Sequence, residues 1–168
     1  MMRWQEVEIV KLHWRHEVCQ ADIAGIRQLT AGTGVFSAEE IQVAGELVES
    51  RLQHGESSGY YFLLATSDDR IIAYTCYGNI PFTDRRYDLY WIAVDRDFQK
   101  HGLGRDVLKR TEQLIQAAGG LRVYAETSGR AQYASTHQFY ERNGYQKIAE
   151  LDDFYKSGDS KIIYCKFL

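Results

Sequence analysis

The sequence predicts an α/β fold in which a mixed sheet is covered by helices on both faces. The predicted elements run in the order strand, helix, helix, three strands, helix, strand, helix and two strands. The strand at 88 to 94 is followed by a helix and another strand, a unit that makes its two strands parallel with a right-handed crossover. The same strand, DLYWIAV, is apolar on both faces, as expected of a central strand. At 168 residues the chain has the size of one domain, so a single domain over 1–168 is predicted.

Composition and charge narrow the class of ligand. Hydrophobic residues make up 45% of the chain and charged residues 26%, which is ordinary for a globular protein. The formal net charge is −3, the isoelectric point is near 6.0, and no basic run is longer than Arg85-Arg86. These features argue against nucleic acid as the main partner and favour a small or cationic ligand.

The terminal segment and the cysteines predict a cytoplasmic protein. The chain starts with MMRWQEVEIV, which lacks the apolar stretch of a signal peptide, and its longest uncharged apolar segment, YYFLLAT, is too short to cross a bilayer. Cys19, Cys76 and Cys165 are far apart and show no metal-ligand spacing, so we interpret them as buried core thiols. We therefore expect no metal site and no membrane association.

The first third of the chain predicts one strand and two helices. Residues 6 to 18 are rich in Val, Ile and Trp and favour a strand. Residues 21 to 31 place apolar side chains at three-residue spacing and end in AGTG, which predicts a short helix closed by glycine. Ser37 and Glu40 form a capping-box pattern that opens a second helix, which runs to about Gln53.

The middle of the chain predicts three strands, a helix and a strand. Strands at 59 to 66 and 70 to 78 flank the turn SDDR, and the apolar strand at 88 to 94 follows. A helix over about 103 to 118 has its apolar residues in helical register and stops at a glycine pair before the strand LRVYAET.

The last part of the chain predicts a short helix and two closing strands. Ser135 and Gln138 resemble a capping box that opens a helix through HQFYERN to Gly144, which suits a left-handed cap. Strands near 145 to 151 and 161 to 167 surround the turn-like segment KSGDS.

The loop VDRDFQKHGLGRDV predicts an anion site. Gly102 and Gly104 let a ligand approach bare amides, and a helix that begins here points free N–H groups at that ligand. A dinucleotide fingerprint fits poorly because Val107 stands at its third glycine position. A P-loop fits less well still, since no Lys followed by Ser or Thr closes the loop.

The pattern Q/R-x-x-G-x-G/A at Gln99, Gly102 and Gly104 resembles the coenzyme loop of the GNAT acetyltransferase superfamily. YWIAV before the loop and FYERNGY at 139 to 145 after it make the resemblance more specific, and the element order agrees over nearly the whole chain. The resemblance implies a central mixed sheet of about six to seven strands. It also implies acetyl-CoA as cosubstrate, no metal, and a pyrophosphate bound by the amides of about 99 to 105.

The same resemblance implies a set of coenzyme-binding residues. The family carries a bulge in the strand before the loop, whose backbone binds the pantetheine arm, and Ile92 to Val94 match it. Tyr133 stands where the family more often has Asn, so the contact made at that position is a departure from the pattern. The residues implied to bind coenzyme are Ile92, Ala93, Val94, Gln99, Lys100, His101, Gly102, Leu103, Gly104, Arg105 and Tyr133.

Three residues are candidates for acid and base chemistry. Tyr140 occupies the position of the family's tyrosine in FYERNGY, the usual proton donor to the coenzyme sulfur. Asp88 falls where histone-acetylating members carry a glutamate base, and it could instead pair with Arg85 or Arg86. Glu126 is the competing base, and it could instead be a solvated residue at a strand end. The two nearby histidines are interpreted as a loop side chain, His101, and a helix surface residue, His137.

The resemblance implies an N-acetyltransferase that moves acetyl from acetyl-CoA to a primary amine of a small molecule, by direct attack in a ternary complex. Two alternatives stay open: a protein lysine or N-terminal acetyltransferase, and a non-catalytic acyl-CoA-binding module. A homodimer is possible. An open groove beside 88 to 94 would favour a protein acceptor, whereas a pocket roofed by residues 32 to 54 would favour a small amine.

Overall fold

The computed structural model describes residues 11–168, which form a seven-stranded mixed sheet with helices on both faces. The strands are β1 (His13–Arg15), β2 (Tyr61–Ser67), β3 (Arg70–Asn79), β4 (Arg86–Val94), β5 (Arg122–Ser128), β6 (Gln146–Lys156) and β7 (Asp159–Phe167). The helices are α1 (Gln20–Thr33), α2 (Ala38–His54), α3 (Leu103–Ala117) and α4 (Ala134–Arg142). The strand order is β1-β2-β3-β4-β5-β7-β6. The predicted α/β class and mixed sheet are confirmed.

Strand β4 lies at the centre of the sheet, as its apolar sequence predicts. It pairs antiparallel with β3 and parallel with β5, so β4, α3 and β5 form the predicted strand-helix-strand unit. The other neighbouring strands all pair antiparallel. The parallel step at the middle of the sheet is therefore the place where the chain crosses over.

The helices cover different parts of the sheet. Helices α1 and α2 pack one face of β2, β3 and β4 through a core that includes Ile26 and Val48, both fully buried. Helices α3 and α4 cover the opposite face through a core that includes Leu108 and Ile115. The predicted capping box of α2 is present, since Glu40 N donates to Ser37 Oγ at 3.2 Å and Ser37 N donates to Glu40 Oε2 at 2.7 Å.

A bulge in β4 changes the direction of its side chains. Cys76 of β3 pairs with Trp91 and Tyr77 pairs with Leu89, so Tyr90 has no partner on β3. The bulge was predicted at Ile92 to Val94, and that prediction is wrong because those residues pair regularly with β3. An inserted residue reverses the alternation of a strand beyond it.

The reversal decides which side chains of β4 meet which helices. Leu89 before the bulge and Ile92 and Val94 after it all pack on the side of α3. Trp91 and Ala93 pack on the side of α1 and α2. The extra residue at Tyr90 therefore sets which of these side chains face each layer.

Several boundary predictions need correction. The predicted strand at 6 to 18 is reduced to β1, and its first part, 6 to 10, lies outside the described residues. The predicted capping box at Ser135 is wrong, because α4 begins at Ala134 and Tyr133 precedes it without a side-chain cap. Gly144 does adopt the predicted left-handed conformation, with φ of 86°.

The cysteine prediction holds for two of the three thiols. Cys76 and Cys165 are buried, whereas Cys19 is exposed, just before α1. None of the helices in the described part of the chain is both long and apolar enough to cross a membrane.

Candidate active site

The candidate site is a cleft between β4 and β5. These two strands pair only from Arg86 to Leu89 on β4 and from Arg122 to Ala125 on β5, although β4 continues to Val94 and β5 to Ser128. Beyond the last pair they diverge, and a cavity of about 1310 Å³ lies there. The edge of β4 that faces β5 is thus left with backbone groups available to a ligand.

One end of the cavity is formed by the glycine loop. Lys100 has φ of 65° and Gly102 has φ of 86°, and α3 begins at Leu103. Gln99 Nε2 donates to the carbonyl oxygen of Val94 at 2.9 Å, which ties the loop to the end of β4. The left-handed turn at Gly102 directs the first amides of α3 into the cavity, as at other helix N-termini that bind anions.

The amides of this loop are available to a ligand. In the part of the chain that the structure describes, none of the backbone N–H groups of residues 100 to 105 donates a hydrogen bond. Lys100 and Arg105 line the same cavity. A run of free amides beside two cationic side chains fits a diphosphate, so these residues fit the coenzyme that the sequence resemblance implies.

Gly104 allows close packing at the start of α3. A Cβ atom built at Gly104 would lie 3.3 Å from the Phe139 ring and 3.6 Å from Val94. A larger side chain would push α3 away from α4 and β4. Packing thus limits the size of the side chain at this position, whereas Gly102 has no atom within 4 Å of a Cβ and is favoured for its backbone conformation.

Tyr140 lies on α4 against the middle of the cavity. Its side chain is only 4% exposed, yet it lines the cavity, and its ring packs against Tyr164 with centroids 5.4 Å apart and against Tyr145 at 5.3 Å. Burial, with a smaller effect of Tyr164, raises the pKa of the Tyr140 phenol well above its usual value. The phenol therefore stays neutral across the working range of pH and can act as a proton donor but not as a base.

Asp88 is a half-buried carboxylate on β4. Burial, and then the nearby charge of Glu126, raise the pKa of Asp88 to about 6, while Lys161 opposes the shift. The predicted alternative, an ion pair with Arg85 or Arg86, is wrong, because both arginines pair with Asp84. A carboxylate with a pKa of about 6 is well matched to accepting a proton near neutral pH.

Glu126 lies on β5, two residues beyond Tyr124, which pairs with Asp88 across the parallel ladder. Its Oε2 accepts from Lys161 Nζ at 2.7 Å. Glu126 is exposed, so the alternative of a solvated residue at a strand end holds alongside this ion pair. Glu126 lines the cavity, whereas Asp88 is not among its lining residues and precedes the lining residue Leu89 in the chain.

The roof of the cavity comes from the connection between α1 and α2. Tyr133 Oη donates to the carbonyl oxygen of Val35 at 3.4 Å, and Gln132 Nε2 donates to the same oxygen at 3.3 Å. Phe36 of this connection packs against Trp91, with ring centroids 5.7 Å apart. Tyr133 thus contacts the roof while it lines the cavity, and its role in binding coenzyme stays a prediction.

The two histidines differ from each other. His101 is exposed in the loop, as predicted. His137 is half-buried and its Nε2 lies 2.8 Å from the carbonyl oxygen of Ser128, so its interpretation as a helix surface residue is wrong. His137 therefore fixes the end of β5 to α4.

A polar cluster at the far end of the cavity escaped the sequence analysis. Ser128 Oγ donates to Asp159 Oδ1 at 2.5 Å, and Arg130 Nε lies 3.1 Å from Asp159 Oδ2. Asp159 is only 4% exposed. Ser128 and Asp159 are 31 positions apart in the chain, so no short sequence motif connects them. The signal was the polar segment KSGDS, which the sequence analysis treated only as a turn.

No group of three or more His, Cys, Asp or Glu side chains within residues 11–168 is arranged to hold a metal ion. The chemistry that the described residues offer is therefore that of amides, a phenol, two carboxylates and their cationic partners.

Comparisons with known proteins agree with this geometry. The model of the acetyltransferase (GNAT) family matches residues 30–145. A protein from Desulfovibrio desulfuricans assigned to that family is 43% identical in sequence and superposes with a TM-score of 0.90, over 94% of this chain and 99% of the other. No curated protein sequence matched the chain.

Two more distant structures share the fold. The PaiA N-acetyltransferase of Thermoplasma acidophilum, solved in complex with coenzyme A, is 17% identical with a TM-score of 0.72 over 94% of this chain and 99% of the other. The ribosomal-protein-S18-alanine N-acetyltransferase of Escherichia coli is 19% identical with a TM-score of 0.73 over 94% of each chain. The chain belongs to the GNAT family of acetyltransferases, and it is therefore an acyltransferase.

Proposed function

We propose that this protein transfers acetyl from acetyl-CoA to a primary amine of a small molecule, by direct attack in a ternary complex. The observation that supports this most is a single cavity shared by both ends of the site. Gly102, Tyr140 and Glu126 all line it. Coenzyme at the loop and an amine near Glu126 could then be bound together, as direct transfer requires.

The coenzyme end would bind through backbone groups. The free amides of residues 100 to 105 would hold the pyrophosphate, and the edge of β4 from Ile92 to Val94 would hold the pantetheine arm. Acetyl-CoA, when bound, supplies the acetyl thioester. The same residues would exclude water from the arm, since β4, α3 and α4 enclose it.

The remaining roles fall to side chains. Tyr140 would hold a proton at its hydroxyl for the departing sulfur, and burial keeps the phenol protonated over the working range of pH. Asp88 would accept the proton of the amine through water, because its side chain does not line the cavity. Glu126, paired with Lys161, would orient the acceptor.

The roof supports a small acceptor over a protein. The connection at Thr33 to Ser37 lines the cavity, and its Val35 carbonyl is held by Gln132 and Tyr133. Tyr155 and Lys156 also line the cavity, from the β6-β7 hairpin. We take these two segments to narrow the cleft and so to favour a small acceptor over a folded protein segment.

A screen of amines for acetyl-CoA-dependent release of free thiol tests the proposal. Small amines, lysine-containing peptides and peptides with free N-termini form three arms of the screen. Release with small amines alone supports the proposal, and release only with peptides favours the protein acetyltransferase. Tight coenzyme binding with no release in any arm favours the non-catalytic module.

A further inference from the structure

Arg130 is a cavity residue that the roles described above do not use. It follows β5 by two residues and lines the acceptor end of the cavity, with its side chain 37% exposed. Its guanidinium carbon lies 5.6 Å from the centre of the Tyr133 ring. The Arg130 side chain could either stabilise the fold or bind a ligand, and its contacts distinguish these two roles.

The guanidinium is held from one side by a buried pair. Arg130 Nε lies 3.1 Å from Asp159 Oδ2 and donates to Ser128 Oγ at 3.2 Å. Asp159 is 4% exposed and Ser128 is 9% exposed. The backbone N–H of Arg130 also donates to Ser128 Oγ at 3.2 Å. These contacts hold both the backbone N–H and the side-chain Nε of Arg130, so they fix the orientation of the guanidinium.

The two terminal nitrogens form the opposite edge of the same group. Within residues 11–168 neither of them makes a hydrogen bond of good geometry, and the Tyr133 hydroxyl is a neighbouring acceptor. These nitrogens present parallel N–H groups, whose spacing matches the two oxygens of a carboxylate. Asp159 partly neutralises the arginine, so the site offers directed hydrogen bonds more than net charge.

The carboxylates of the proposed function lie a short distance away. Glu126 and Ser128 are on one face of β5, two residues apart, which is roughly 6.6 Å along a strand. Lys161 pairs with Glu126, and the charge of Glu126 still acts on Asp88 of the neighbouring strand. The acceptor end thus places anionic groups at one side and an arginine with free donors at the other, a pattern that suits a zwitterion.

We propose that Arg130 recognises a carboxylate of the acceptor, so that the substrate class is amino acids: the amine lies near Glu126 and Asp88, and the carboxylate lies on Arg130. The inference rests on the proposed function and names its acceptor. Arg130 is then a specificity-determining residue, and Asp159 and Ser128 are its positioning residues.

Matched pairs of acceptors test the inference in the unmodified protein. The panel contains α-amino acids and straight-chain ω-amino acids from β-alanine to 5-aminovalerate, each beside its carboxamide. A nearby carboxylate raises the pKa of an amine, so the carboxamide is the more reactive partner at a fixed pH. A charged hydrogen-bonded pair contributes roughly 1.5–3 kcal/mol, so kcat/KM should favour the acid by about tenfold or more.

Arg130→Gln removes the paired N–H groups of the guanidinium and should reduce the preference for the acid over its carboxamide to less than about threefold. Arg122→Gln is the matched control, since it removes the same charge at the other end of β5. Arg130→Lys keeps the positive charge but lacks the paired N–H groups, so it should restore only part of the preference for the acid. If Arg130→Gln does not fold, the acid-to-amide ratio of the unmodified protein still decides the inference.

The outcomes separate the inference from the function on which it rests. Equal use of acids and amides, or a panel in which no carboxylate-bearing amine is used, overturns the inference while coenzyme-dependent acetylation of other amines upholds the function. If Arg130 instead bound the coenzyme's 3′-phosphate, Arg130→Gln would weaken coenzyme A binding but leave 3′-dephospho-coenzyme A unaffected, and the inference would also fail. Absence of coenzyme binding would remove the function itself.

Discussion

The two ends of the cavity differ in the groups that line them: one end presents backbone groups and the other presents side chains. The coenzyme end is backbone: the amides of residues 100 to 105 and the free edge of β4 beyond Leu89. The acceptor end is side chains from distant parts of the chain, such as Asp88, Glu126 and Lys161. A backbone site needs glycine and a helix start, and many sequences can supply them. A side-chain site fixes particular charges, so it is the end at which members of a family can differ.

Removal of the phenol is the largest effect expected at the acceptor end. Tyr140→Phe keeps the ring packing on Tyr145 and Tyr164 but loses the proton donor, so kcat should fall about 10³-fold with acetyl-CoA affinity unchanged. Steady-state kinetics and calorimetry measure the two quantities. The matched control is Tyr145→Phe, because the Tyr145 hydroxyl is buried without a partner among the described residues. A kcat equal to that of the unmodified protein would show that the sulfur leaves unprotonated or uses another acid.

Removal of the proposed base should have the next largest effect. Asp88→Asn should lower kcat/KM about 10²-fold at pH 7 and recover partly as free amine accumulates at higher pH. In the unmodified protein activity should rise with pH through about 6, where Asp88 loses its proton. Profiles of kcat/KM from pH 5 to 9.5 measure this rise, which is the acidic limb of the profile. If Asp88→Asn keeps the same rise and its profile stays parallel to that of the unmodified protein, Asp88 is not the base.

The coenzyme end should respond in binding instead. Gly102→Glu places a carboxylate at the amides of the loop, and like-charge repulsion should weaken acetyl-CoA binding about tenfold or more, which is about 1.4 kcal/mol. Gly119→Glu is a matched control, because Gly119 has the same φ of 86° and equally open surroundings away from the cavity. Calorimetry should show weaker binding for the first variant alone. Equal affinity of two folded variants would remove the loop from the site.

The sequence analysis succeeded where local patterns carry the information. The glycine loop, the βαβ unit and the capping box at Ser37 depend on residues close in the chain, and each was found in the structure. Asp88 gains its raised pKa from Glu126 and from burial, and Arg130 gains its direction from Asp159. Those contacts depend on the register of β4, β5 and β7, which no short segment determines. The false capping box at Ser135 shows the converse, since a 3₁₀ turn at Ala131–Tyr133 leads directly into α4 and leaves Ser135 inside the helix.

The ion pair beside Asp88 offers a finer test of the acceptor end. Glu126 raises the pKa of Asp88 and Lys161 lowers it, so Glu126→Gln should move the acidic limb of the rate profile to lower pH and Lys161→Met should move it to higher pH. Rate profiles with one acceptor measure both midpoints. Shifts in the same direction, or none, would show that the limb does not report Asp88.

The smallest effect concerns stability. Asp88 has a pKa of about 6 in the folded protein, above the value of 3.8 for an unperturbed aspartate, so the folded state binds the proton more tightly than the unfolded state. The free energy of unfolding therefore decreases as pH rises from about 4 to 6, and the whole cost is present above that range. Asp88→Asn should raise the unfolding temperature at pH 7.5 and lose this advantage below about pH 4. Thermal melts at the two pH values, with Asp84→Asn as an exposed control, measure the difference. A gain of equal size at both pH values would mean that packing of the amide, and not the removal of a costly charge, stabilises the variant. The expected pattern would mark Asp88 as a group that costs the fold stability, as is common where a side chain is positioned for chemistry.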